Sequence, residues 1–196
     1  MIDENALLLY KNHITTLQNT SKDTANNDSM TDSKISVYNF DNIKRNYAKK
    51  RCRNKNAVTS VDAIYKCTTN GDFIFIEFKN GRINDNMADE VADKIKDSLL
   101  IFCDITKCSI SETRKHLDFI LVYNQDKESY SRKQISSHIS NKAGETFIDF
   151  GLKKYKNIYF KEVYTYSKEI FNTEIDKLLI YCLLYTSPSP RDSTSS

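Results

Sequence analysis

The chain has 196 residues, of which 39% are hydrophobic and 28% charged, and its net charge is +3. These proportions describe a soluble globular domain with appendages; two full domains would be a tight squeeze, and no apolar run approaches the roughly 20 residues of a membrane-spanning helix. The opening MIDENALLLYKNH has no basic stretch and no small-residue cleavage site, so no signal peptide is expected. Five cysteines (Cys52, Cys67, Cys103, Cys108, Cys182) without a C-x-x-C pair argue against a zinc site or a disulfide framework, and reduced thiols in a cytoplasmic protein are the expectation.

Taken in chain order, Ile2, Ala6, Leu9, Ile14 and Leu17 recur at roughly helical spacing and predict a first helix over residues 1–18. Residues 19–34, NTSKDTANNDSMTDSK, are polar and aperiodic and read as a flexible linker to an α/β domain over 35–182. Asp41 has the chemistry of an N-cap for a short helix that reaches a basic run. That run, KRNYAKKRCRNK from Lys44 to Lys55, holds seven Lys or Arg and no acid. A solvated helix end explains it as well as a phosphate-binding face does; on the second reading Lys49, Lys50, Arg51 and Arg53 are the nucleic-acid contacts.

Two strand candidates follow, VTSVDAIYKCT and DFIFIEFK, separated by a turn containing Asn70 and Gly71. Asn-Gly between β-prone runs is the strongest short-range hairpin signal, because both central residues of a type I′ turn need positive φ. A helix from about Asn86 to Phe102 is predicted by Met87, Val91, Ile95, Leu99 and Phe102 on one stripe. HLDFILVYN (116–124) is a buried-strand run that follows a helix, so a crossover should make it parallel to an earlier strand. Residues 128–142 suit a polar helix or a loop excursion, NIYFKEVYTY (157–166) a further strand, and SKEIFNTEIDKLLIYCLL a closing helix begun by Ser167. The fold class expected is a mixed β-sheet with a central antiparallel hairpin and flanking helices. The last stretch, LLYTSPSPRDSTSS, resembles the translation of a sequencing-library adapter, and residues 183–196 are set aside as a disordered tail; a natural Ser/Pro-rich tail would have no role in the fold either.

The hairpin turn sets the chemistry. With Asn70 and Gly71 as a two-residue loop, Thr69 faces Asp72, Ile64 faces Glu77 and Asp62 faces Lys79. Opposed residues share a face, so Asp62, Glu77 and Lys79 form one cluster, with Asp62 and Glu77 diagonal neighbours about 7 Å apart. A cross-strand ion pair between Asp62 and Lys79 is the plainer explanation. Against it, Phe73, Phe75, Ile74, Ile76 and Phe78 supply apolar residues to both faces of the strand, and carboxylates there need a cation, a metal or hydrogen bonds in compensation. Two acids with one lysine leave a negative surplus that suits a divalent cation.

A hairpin bearing Asp, then two hydrophobic residues and Glu-x-Lys, then a helix and a strand, resembles the core of the PD-(D/E)XK nuclease superfamily. The matching text is SVDAI with Asp62 and IFIEFKN with Glu77 and Lys79, and the resemblance covers roughly residues 40–125. Val61 stands where the motif has proline, and Glu4 is the candidate for the acid that the family draws from its first helix. The chain also looks like a group of bacterial proteins sharing the pattern SVDA…IEFKNG…DSLL…FILVYN…FGL…F, which lends no activity. The resemblance implies a restriction-endonuclease-like core and a Mg²⁺-dependent (or Mn²⁺-dependent) nuclease that hydrolyses phosphodiester bonds, in DNA ahead of RNA. It implies that Asp62, Glu77 and the backbone carbonyl of Phe78 bind the ion, which polarises the phosphate and activates water, while Lys79 orients the nucleophile and stabilises developing charge. The alternative is a non-catalytic module on the same fold: an immunity or accessory protein that binds a partner protein, or a nucleic-acid-binding relative.

Elsewhere the residues carry less. His13, His116 and His138 are scattered without partners at ligand spacing and read as surface or packing residues. Tyr155, Tyr159 and Tyr164 lie near Lys153, Lys154, Lys156 and Lys161, a mix that suits strand and core packing or nucleic-acid stacking. The four glycines are isolated, so no phosphate loop is expected.

Overall fold

In the computed structural model, the described residues are 2–23, 28–81, 87–127, 139–142, 145–148 and 150–180. In chain order the strands are β1 (Ile14–Thr16), β2 (Lys22–Asp23), β3 (Asp28–Ser29), β4 (Ser36–Asn39), β5 (Ala63–Lys66), β6 (Phe73–Lys79), β7 (Leu117–Tyr123), β8 (Ile139–Lys142), β9 (Glu145–Ile148) and β10 (Val163–Ser167). The helices are α1 (Glu4–Leu8), α2 (Leu17–Thr20), α3 (Phe40–Cys52), α4 (Met87–Thr106), α5 (Ile110–His116) and α6 (Lys168–Ile180).

Six strands form a mixed sheet in the order β1-β4-β5-β6-β7-β10, antiparallel as far as β6 and parallel across β6, β7 and β10. The class is therefore mixed α/β. Every residue of β7 is buried, as are all residues of β6 except Lys79, which is why both read as continuous apolar runs in place of alternation. The crossover from β6 through α4 and α5 makes β7 its parallel neighbour, as the run 116–124 predicts.

Alternation along β6 divides the core. Phe73 and Phe75 point to the face covered by α1, α3 and α4, where Leu7, Phe40, Ile43, Val91, Ile95 and Phe102 pack. Ile74, Ile76 and Phe78 point to the face covered by α6, where Phe171, Ile175 and Leu179 pack with Leu17 and Met30. The Phe75 ring meets Phe40 at 5.6 Å, Phe102 at 5.4 Å and Phe160 at 6.1 Å between centroids, so one residue fastens α3 and α4 to the central strand. Truncating such a side chain to alanine costs about 3–5 kcal/mol.

Several local expectations are corrected. The single helix over 1–18 is replaced by α1, a 3₁₀ turn, β1 and α2. Ile14, Thr15 and Thr16 pair with Tyr38, Val37 and Ser36, and the Thr16 hydroxyl caps α2, so sheet pairing outweighs a weak helical pattern. The described part of the linker is built into the domain: β2 pairs with β3, Met30 is fully buried, and the Met30 carbonyl accepts a hydrogen bond of 2.9 Å from Asn172. Since β1 also joins the main sheet, the domain does not start at residue 35. The α3 cap is Asn39, whose side chain accepts from the Asn42 N–H at 2.9 Å, and Asp41 sits in the first turn instead. Helix α4 runs on to Thr106, four residues past the expected end.

Of the stretch 128–142, residues 139–142 form β8, paired with β9, and residues 128–138 lie outside the described residues. The strand expected over 157–166 is confined to β10, because Asn157 takes positive φ and a turn carries the chain to Phe160. The closing helix does begin after Ser167, whose hydroxyl accepts from the Ile170 N–H. The expected tail, 183–196, lies outside the described residues. Cys67 is disulfide-bonded, a correction to the expectation of reduced thiols that cysteine spacing cannot reveal because bonding depends on distance in the fold. Cys52, Cys103 and Cys108 are free. Among the described residues no helix is long and apolar enough to cross a membrane.

Candidate active site at the carboxyl end of the central strand

The hairpin forms with a different turn. Lys66 pairs with Phe73, Ile64 with Phe75 and Ala63 with Ile76, so four residues, Thr68 to Gly71, make the loop. Gly71 takes positive φ (76°) and donates to the Cys67 carbonyl, whereas Asn70 accepts from the Asp72 N–H through its side chain. Without positive φ at both Asn70 and Gly71 no type I′ turn arises, and the register moves by two residues. A shift of one residue would have sent the acids to the opposite face; a shift of two preserves the face. Asp62 thus leaves Lys79 and comes to lie beside Glu77 and Phe78.

The Asp62 main chain is held on both sides: its N–H donates to the Ile76 carbonyl at 3.1 Å and its carbonyl accepts from the Phe40 N–H at 3.0 Å. The side-chain Oδ2 accepts from the Phe78 N–H at 2.7 Å. In an extended strand the carbonyl of a residue points to the same side as its N–H. The Phe78 carbonyl is therefore directed toward the side on which Asp62 stands. The Lys79 carbonyl accepts from Asn124 on the β7 side at 3.0 Å.

Glu77 is fully buried (0% exposed) on the face covered by α3 and α4. Its Oε1 lies 2.6 Å from Lys94 Nζ and 3.6 Å from Lys79 Nζ. Its Oε2 has no hydrogen-bond partner, and among the described residues it is the one buried side-chain nitrogen or oxygen in that position. Lys94 also lies 3.7 Å from Asp62 Oδ1, while Lys79 reaches Glu90 Oε2 at 3.3 Å. Burial pushes the Glu77 carboxyl up to about 8, and the neighbouring Asp62 charge acts in the same direction against Lys94 and Lys79. Burial likewise raises Asp62, opposed mainly by Lys94. Burial works against the charged form of Lys94, but the two carboxylates outweigh it and the net shift is upward.

Asp62, Glu77 and Lys79 thus share a face, with Asp62 beside Glu77 in place of opposite Lys79, and the N–H of Phe78, a residue named only through the resemblance, meets the Asp62 side chain. Lys94, Glu90 and Asp41 were not foreseen. The signal for the first two was present: Glu90 and Lys94 stand four apart on the helix that follows the Glu-x-Lys strand, next to its apolar stripe. Asp41, in the first turn of α3, acts electrostatically on both Asp62 and Lys94. Glu4 is remote. Asp3 donates its N–H to Thr106, twelve residues beyond Lys94 on α4, or about 18 Å along the helix.

The basic run is also remote. Cys52 ends α3, twelve residues after Phe40, so Lys49, Lys50, Arg51 and Arg53 stand up to about 18 Å along the helix from the acids. Lys49, Lys50 and Arg51 occupy the last turn, where positive charge complements the helix dipole. Arg51 is paired with Asp104 at 2.6 Å and lies over the Tyr47 ring, so it is not a free cation. Lys49 and Arg53 border an open depression with Asn54, Lys55 and Asn56. Part of the tyrosine–lysine mix is spent internally: Tyr155 is buried and stacked on Tyr159, Lys156 pairs with Glu162, and Lys161 with Asp72.

A cleft opens beside Asp62, bounded by Phe78, Asn80 and Gly81 on one side and by Ser21, Lys22 and Asp23 of the N-terminal segment on the other. Asn80 fastens that segment by donating to Asp23 at 3.1 Å. Fold and cleft define a mixed α/β protein with two carboxylates and two lysines converging at the carboxyl end of a central parallel strand, where α/β sheets commonly bind ligands. Comparison with protein-family models, curated proteins and solved structures finds no match to the chain.

Proposed function

We propose that the chain is a metal-dependent nuclease of the PD-(D/E)XK type with a restriction-endonuclease-like core, hydrolysing phosphodiester bonds in DNA ahead of RNA. The observation that carries this reading is the meeting of Asp62 and Glu77 beside the Phe78 backbone, with a buried Glu77 oxygen left unpaired. A buried acceptor without a partner calls for an ion or water. Mg²⁺ is commonly held by one or two carboxylates together with waters and substrate phosphates, so Asp62, Glu77 and the Phe78 carbonyl are a fitting set of hard oxygen donors. Among the described residues no group of three or more His, Cys, Asp or Glu is gathered to hold a metal.

When bound, the ion polarises the scissile phosphate and lowers the pKa of its water. The remaining work belongs to the chain. Asp62 and Glu77 fix the donor geometry, and burial of Glu77 excludes competing water from behind it. Lys79, with its ammonium between Glu77 and Glu90, is the donor that meets negative charge developing on the phosphate. The exposed Lys49 and Lys50 lie far enough away to track a nucleic-acid backbone without entering the chemistry.

One observation favours a non-catalytic module that binds nucleic acid or a partner protein: the Lys94 ammonium already lies against both Asp62 and Glu77. Incubation of plasmid with the protein and Mg²⁺ or Mn²⁺ separates the two. The nuclease reading expects cleavage that EDTA stops and that Lys79→Ala abolishes. Absence of cleavage under both metals sinks it in favour of the binding module.

A further inference from the structure

We propose that Lys94 is a built-in cation for the Asp62–Glu77 pair, which holds the two carboxylates together in the metal-free protein and gives way when a divalent ion binds. The inference rests on the metal site proposed above and adds a group that regulates its occupancy.

The geometry is specific to Lys94. Its ammonium lies 2.6 Å from one oxygen of Glu77 and 3.7 Å from one oxygen of Asp62. The second Asp62 oxygen is tied to the Phe78 N–H, and the second Glu77 oxygen has no partner. Lys94 therefore engages one oxygen from each acid, as a bridging cation would. Lys79 does not, because its nearer carboxylate is Glu90 at 3.3 Å, against 3.6 Å to Glu77.

An ammonium and a divalent ion cannot occupy the same pair of oxygens, since like charges a few ångströms apart in a buried site repel strongly. The site also provides for the release. Lys94 projects from α4 on a flexible four-carbon stem and is 25% exposed, so it has a route toward solvent. Glu90 lies one turn earlier on the same helix and is 64% exposed. A Glu four residues before a Lys is the favourable order on a helix, so the displaced ammonium finds a carboxylate within reach. The arrangement also compensates the buried Glu77 and the half-buried Asp62 before metal arrives, beyond what Lys79 and the Phe78 N–H supply.

The test uses the full chain and Mn²⁺. Titration of Mn²⁺ should give at least tenfold tighter binding to Lys94→Met than to the native protein, because the internal competitor is gone, while Lys94→Arg should stay near the native value. In the native protein, acylation of lysines by an amine-reactive ester, read by mass spectrometry, should find Lys94 protected without metal and several-fold more reactive at saturating Mn²⁺. This second measurement holds even where Lys94→Met fails to fold. Native protein that binds Mn²⁺ with no change in Lys94 labelling overturns the inference and leaves the metal site standing. Unchanged or weaker Mn²⁺ binding by a folded Lys94→Met variant does the same. Absence of Mn²⁺ binding to native and variant alike overturns the inference and the metal site together.

Discussion

The two ends of β6 carry similar charges and do different work. At the amino end, Asp72 accepts from Lys161 at 2.9 Å, meets His116 Nδ1 at 2.9 Å and also accepts from Asn70 at 3.1 Å. Nearby Asp118 accepts from the Glu162 N–H at 2.9 Å. These contacts fasten the hairpin turn and β6 to the chain leading into β10. At the carboxyl end, Glu77 is more deeply buried, shares Lys94 with Asp62 and keeps one oxygen unpaired. A charge cluster becomes a candidate site through incomplete satisfaction beside an opening; the charges alone do not suffice.

The largest difference between the ends is expected in activity. Glu77→Gln should reduce metal-dependent cleavage at least about 100-fold, since even groups that only orient metal ligands are worth 10–100-fold. Asp72→Ala should leave cleavage near native. A nicking assay of both variants on one plasmid decides, and equal losses would erase the distinction between the ends.

Stability should show the reverse order. Removing the Asp72 carboxylate leaves Lys161 and His116 without their partner and should cost about 1–3 kcal/mol, or roughly 2–10 °C in Tm. Glu77→Gln should leave the metal-free fold as stable at pH 7 or slightly firmer, because a neutral amide replaces a buried carboxyl that must hold its proton at that pH. Thermal melts without metal test both, and a large loss in Glu77→Gln would make Glu77 a structural partner of Lys94 only.

The pH dependence separates the ends by window. Glu77 rises from 4.5 to about 8 on folding, so the native state holds its proton more tightly than the unfolded state. Its contribution is fully present below pH 4.5 and is lost as pH climbs through about 8. Burial raises Asp118 from 3.8 to about 6, so its contribution is lost over the lower interval. Denaturant unfolding without metal should show stability falling from pH 5 to pH 8, by at most about 1.4 kcal/mol per pH unit for each group. Glu77→Gln should flatten the fall above pH 6 and lessen it below, whereas Asp118→Asn should lessen only the fall below pH 6.

The smallest effects are expected at the end of α3. Arg51→Ala breaks an exposed pair with Asp104 and should cost roughly 0.2–1 kcal/mol. Lys49→Glu with Lys50→Glu should weaken nucleic-acid binding for every sequence alike and lower the salt dependence of binding by about two phosphate contacts. Binding that is unchanged at low salt would return this run to its role at the helix C-terminus.

The sequence by itself determined which residues share a face of the sheet and which strands are buried. Period-2 alternation assigns Asp62, Glu77 and Lys79 to one side for any turn that moves the register by an even number of residues, as the two-residue shift here does. The continuous apolar runs in β6 and β7 announce strands covered on both sides. Only the tertiary structure decided the register itself, since Asn70 spends its side chain on the Asp72 N–H in place of taking positive φ. It alone drew Ile14 to Thr16 out of a helical pattern, because pairing with β4 satisfies their backbone groups within the sheet. It also decided the charge balance of the site. Lys94 is separated from Glu77 by seventeen residues of chain and reaches it only because α4 packs across β6 through Phe75 and Phe102. Local spacing records neighbours along a strand or a helix; a cation delivered from another element is fixed by packing, and no period in the chain encodes it.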